Sequence, residues 1–131
     1  MSEFMDLHLD NVQDPEPVPG GEQYQLKIGK AEMKRNEKDT RNMIVIMFSI
    51  VDNPTAPPIM EYLNLPCKED AENTVYMFKL RIKDFCRSFN IELGNEPDFS
   101  EWKGLEGWAF IKTEEYKGKP QNKVSKFIFE E

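Results

Sequence analysis

Residues 70–90 read Asp70-Ala71-Glu72-Asn73-Thr74-Val75-Tyr76-Met77-Phe78-Lys79-Leu80-Arg81-Ile82-Lys83-Asp84-Phe85-Cys86-Arg87-Ser88-Phe89-Asn90. Phe78, Ile82, Phe85 and Phe89 recur at i, i+4, i+7 and i+11, and Val75 and Cys86 widen the stripe. That is the period of an amphipathic helix, with Asp70 or Asn73 placed to cap its start. On either side of this segment the pattern changes to the two-residue period of strands.

Upstream, Tyr24-Gln25-Leu26-Lys27-Ile28 alternates and runs on to Met33. Residues 34–42 are polar and charged, a loop. Met43 to Val51 is apolar on both faces and rich in β-branched residues, a strand near the middle of a sheet. Asp52-Asn53-Pro54 to Pro57-Pro58 is a turn, and Ile59 to Leu65 a third strand ended by Pro66. Downstream, residues 98–102 suggest one helical turn, Gly107 to Tyr116 a fourth strand, residues 117–122 a turn, and Lys123 to Phe129 a fifth strand. Five strands with one helix between the third and fourth is the order of an OB-type Greek-key barrel, and that mainly β fold is the expectation.

The 131 residues, 39% of them hydrophobic, suffice for one core and one domain. Residues 1–21 are acidic and rich in proline and glycine, which predicts a disordered leader before a domain over 22–131. The leader reads as a solvated tail with no fixed partner, docking of Phe4 to Leu7 on another surface being the alternative. No apolar run approaches the ~20 residues that span a bilayer, so no membrane partner and a cytoplasmic location are expected. Cys67 and Cys86 form neither a disulfide framework nor a zinc pattern, and the only histidine is His8. Phosphate-cradling glycine loops are absent as well. No enzyme, metal or cofactor is expected.

The net charge of −7 argues against a polyanionic partner until its distribution is read. Residues 1–22 hold six acids and no lysine or arginine, leaving 17 basic against 18 acidic residues in the body. Residues 27–41 hold six basic and three acidic side chains, and residues 112–126 five and two. Because salt screens beyond about 8–10 Å, such local fields matter more than the sum.

An OB barrel binds across strands two and three, between the loops joining strands one–two and four–five. The two basic clusters fall on those connections: Lys34, Arg35, Lys38 and Arg41 on the first, Lys117 and Lys119 on the second, with Lys112, Lys123 and Lys126 on the flanking strands. Tyr62 and Tyr116 are the expected base stackers and Trp108 a third. Charge to track phosphates and rings to stack bases are the two needs of a single-strand binder. This reading places both basic hairpins at the rim of one groove floored by aromatic rings. For Trp108 and Phe110, core packing is the preferred reading and base stacking its alternative. The row Lys79, Lys83 and Arg87 reads as a solvated helix face, with contact to a phosphate backbone as its alternative.

The runs Gly21 to Lys34, Asn42 to Asp52, Glu61 to Pro66 and Glu114 to Lys119, with Asn122-Lys123-Val124, resemble small bacteriophage single-stranded-DNA-binding proteins encoded among replication and recombination genes. The resemblance covers residues 18–129 and implies an OB fold, single-stranded DNA as ligand and phage replication or recombination proteins as partners; the acidic leader, expected to reach those partners, departs from the acidic C-terminal tail of many single-strand binders. It assigns no individual residue. A further expectation is that residues 3–16 fold back over the basic loops and weaken DNA binding. A protein–protein adaptor recruiting a recombinase, nuclease or polymerase is the second reading, and a DNA-mimicking host inhibitor the third.

Overall fold

The computed structural model describes residues 9–38 and 40–129, so the readings of residues 4–7 and of His8 lie outside the described residues. Five strands, β1 (Glu22–Arg35), β2 (Asn42–Ile50), β3 (Ile59–Asn64), β4 (Glu106–Tyr116) and β5 (Lys119–Ile128), form one antiparallel sheet in the order β3-β2-β1-β4-β5. Helix α1 (Glu72–Phe89) links β3 to β4, followed by a 3-10 turn over Phe99–Trp102. The protein is mainly β, with α1 where the periodicity places it.

β1 organises the sheet. Its first part, Glu22 to Lys27, pairs with β4, and its ladder with β2 extends from Leu26 to Arg35. Between Ile28 and Lys30 the register slips at Gly29. A bulge of this kind bends a strand and tightens its twist, so β1 turns from one half of the sheet to the other.

The two outer strands, β3 and β5, run in the same sense and share no ladder among the described residues. The sheet is therefore open, and the Arg81 side chain of α1 occupies the space between its edges. Arg81 Nε and Nη2 donate to the buried Glu61 carboxylate of β3 at 2.9 and 3.0 Å. Nη2 also reaches the Val124 carbonyl of β5 at 2.9 Å, and the guanidinium lies 4.7 Å from the centre of the Phe127 ring.

The inner face carries Leu26, Ile28, Ile44, Ile46, Phe48 and Ile111, all fully buried. Phe85 and Phe89 of α1 close this core, Phe89 stacking on Phe48 with ring centres 5.3 Å apart. Where β4 passes the end of α1, the Ser88 hydroxyl donates to the Trp108 carbonyl at 2.9 Å.

Three local expectations are revised. The helix N-cap is Ala71, with no side-chain cap; the Asp70 carboxylate instead holds Arg41 and the Cys67 N–H. The turn expected over residues 117–122 is only Lys117-Gly118, at φ 52° and 78°. Positive φ at both central residues is what a two-residue type I′ hairpin needs. β5 accordingly starts at Lys119, and Asn122 lies in the ladder, not in a turn. Finally, the packed body reaches back into the stretch assigned to the leader. Val18 is buried; its N–H donates to Asn122 Oδ1 at 2.8 Å and its carbonyl accepts from Asn122 Nδ2 at 3.0 Å.

Candidate nucleic-acid interface

Strand alternation fixes which side chains face outward. On β2, Ile44, Ile46 and Phe48 point into the core, so Met43, Val45 and Met47 lie on the other face, Val45 buried and Met43 and Met47 half-buried. The registers set them in three cross-strand rows: Lys30–Met47–Met60, Glu32–Val45–Tyr62 and Lys34–Met43–Asn64. The result is an apolar floor ended by the Tyr62 phenol, which is 48% exposed. On β4, Ala109 and Ile111 are buried, so Trp108, Phe110 and Lys112 face out, opposite Ile128, Lys126 and Lys123 of β5.

Lys123 joins the two surfaces. Its Nζ lies 5.4 Å from the centre of the Tyr62 ring, across the space between β5 and β3. Rings and cations therefore alternate over three strands: Tyr62, Lys123, Lys112, Phe110, Lys126 and Trp108. Trp108 is 44% exposed, so the core-packing reading does not hold for it, nor for the comparably exposed Phe110. Trp102 is buried against Phe85 and Phe99.

The basic residues expected on the first hairpin divide. Lys34 is exposed, 3.2 Å from Glu32, and Arg35 and Lys38 are exposed at its tip. Arg41 is committed to structure: Nη1 and Nη2 donate to both Asp70 oxygens at 2.7 and 2.8 Å, Nη1 also reaches the Leu65 carbonyl, and the guanidinium covers the Phe78 ring. The arginine beside Asp70 holds that carboxyl down at about 2. On the second hairpin, Lys112 lies 2.7 Å from Glu114 and lowers that carboxyl below its ordinary value. Exposed ion pairs of this kind are worth little, ~0–1 kcal/mol, so a phosphate can replace the carboxylate. Tyr116, Lys117 and Lys119 are exposed at the tip, Lys117 over the Tyr116 ring.

The tips of the two hairpins do not share one rim. The β1–β2 tip continues past Arg35, whereas the β4–β5 tip extends past the opposite end of β1, where Glu22 pairs with Ile111. Opposite strand direction separates them; what meets is the base of the second hairpin, through Lys123, and the floor of β2 and β3. Sequence reasoning missed that floor. Residues 43–51 read only as apolar on both faces, although the alternation of Met43, Val45 and Met47 with Ile44 and Ile46 already placed them opposite the core. A cleft of about 470 Å³ at the end of the stripe, between Trp108 and Arg87 of α1, was likewise missed. Its residues are far apart in the chain.

Among the described residues, no group of His, Cys, Asp and Glu is placed to hold a metal, and no helix is long and apolar enough to cross a membrane. The fold and this surface define a mainly β protein with cations and rings alternating on one outer face. The chain belongs to the family of proteins of unknown function DUF669, which it matches over residues 5–103. No curated protein matches it.

Proposed function

We propose that this protein binds single-stranded DNA without strong sequence preference, on the outer face of an OB-type barrel opened at the β3–β5 seam. The strand order β3-β2-β1-β4-β5, the helix between β3 and β4 and the Arg81 bridge support the barrel reading. The observation that carries the function is the alternation of Tyr62, Lys123, Lys112, Phe110, Lys126 and Trp108. Bases stack on the rings while lysines follow the phosphates, each stack contributing ~1–3 kcal/mol. Lys34 flanks the Tyr62 end; Arg35, Lys38, Lys117 and Lys119 extend the field along the hairpins. Arg41 supports the fold and leaves the set of phosphate contacts. In this reading the protein covers displaced strands during phage replication or recombination, as the sequence resemblance implies.

The test is polarisation of a labelled oligo-dT across a salt series, with intrinsic fluorescence in parallel; Trp108, not the buried Trp102, supplies the signal. With about four phosphates neutralised, log K falls against log salt with a slope near −3, at ~0.7 per phosphate on single strands. Tyr62→Ala weakens binding by about 1–3 kcal/mol, and Lys123→Ala makes the slope shallower by about 0.7. A salt-independent affinity would falsify phosphate tracking.

A further inference from the structure

Beyond Trp108 the stripe ends in a cleft of about 470 Å³ between the outer face of β1 and β4 and the last turn of α1. That lies within the ~300–1,000 Å³ of small-ligand sites. Trp108, Arg87 and Phe129 all line it, with the Arg87 guanidinium 5.1 Å from the centre of the Phe129 ring. Gln25 faces Trp108 in the ladder, and its Nε2 donates to Glu106 Oε1 at 3.3 Å. A carboxylate is thus steadied beside an exposed indole, in a cleft that also carries Asn90.

The carboxylate decides what enters. The Arg87 guanidinium in the same lining balances its charge, so the cleft can take a base while the strand's phosphates stay near that cation, and Glu106 selects among bases by what they donate. Among the bases, guanine presents two adjacent N–H donors, N1–H and N2–H, to an acceptor pair. Thymine offers one N–H between two carbonyls that face a carboxylate unfavourably; cytosine and adenine set a ring acceptor beside their amino group. We infer that this cleft is a guanine subsite, in which Trp108 stacks the base and Glu106, steadied by Gln25, accepts from its Watson–Crick edge. The inference rests on the strand-binding reading and adds to it one position of base preference at the end of the stripe.

The experiment compares two labelled oligonucleotides of equal length, all dT and all dT but for one dG, on the full chain by competition polarisation. The expected result is about tenfold tighter binding of the dG oligonucleotide, the discrimination of one bidentate pair. Glu106→Gln brings the ratio of the two affinities to about one. Because both affinities come from one preparation, the ratio is insensitive to any loss of folded protein. Equal affinities in the unaltered protein, with oligo-dT still bound, overturn the guanine subsite and leave the strand reading standing. A dG preference that survives Glu106→Gln overturns the assignment to this carboxylate. Failure of both oligonucleotides to bind overturns the subsite and the strand reading together.

Discussion

The Arg41 guanidinium grips both oxygens of Asp70, and the same carboxylate accepts the Cys67 N–H at 2.8 Å. These contacts fasten the start of α1 to the end of β3 without a helix cap. Hydrogen bonds from Arg41, then from the backbone, lower the Asp70 carboxyl from its ordinary 3.8 to about 2. A carboxyl depressed in the folded state contributes stability that is complete above its unfolded value and disappears as pH falls through the folded one. Asp70→Asn is therefore expected to unfold at lower urea than the unaltered protein at neutral pH. The two midpoints should approach each other between pH 4 and pH 2, and a gap constant over that window would refute the linkage. The sequence shows Arg41 only as one cation among six in residues 27–41. Nothing local announces that a partner 29 positions away reaches it, because ion pairing is set by the fold and not by neighbours in the chain.

β4 shows how much an element can disclose beforehand. Its alternation of Trp108, Phe110 and Lys112 with Ala109 and Ile111 reads directly as two faces, and the structure buries the second set. Burial alternation is a property of the strand itself, so it is legible. The start of β5 is not, since Gly118, Pro120 and Asn122 are all turn formers by composition. Pro120 is tolerated opposite Glu115 because β5 is an outer strand, where a missing N–H need not break a ladder. Gly107 has a different role. A Cβ there would lie 2.8 Å from the Ser88 carbonyl and from Phe89 Cδ1, so this strand passes the helix only as glycine. Gly107→Ala is expected to cost about 1–3 kcal/mol through displacement of α1. The measurement is a lower urea midpoint with an unchanged m value; an unchanged midpoint would mean the helix moves aside freely.

Across the whole molecule, two contacts complete what the sheet leaves open. Arg81 joins β3 to β5 from the helix side, and Val18 docks on Asn122 from the acidic segment. The second contact changes the expected role of that segment. Among the described residues, Asp10, Asp14 and Glu16 make no ion pair, and Val12 to Glu16 line a concavity with Asn53, Thr55 and Ala56, not with the cations of residues 34–41. Residues 12–16 thus lie beside the turn between β2 and β3 and not over the first basic loop. Composition concealed the anchor because Val18 stands between two prolines in an otherwise polar run, where a lone apolar residue carries no periodicity. Truncation separates the two roles. Removing residues 1–16 keeps Val18 and its pair of hydrogen bonds, whereas removing residues 1–20 leaves the buried Asn122 amide without them. Burial of one valine and two such bonds together contribute about 2–4 kcal/mol. The longer deletion should therefore lower the melting temperature well below that of the shorter one, which should stay close to the full chain. Equal melting temperatures for the two truncations would show that Val18 is not an anchor, and a tighter grip on oligo-dT in the shorter truncation would restore the leader as a competitor for the DNA face.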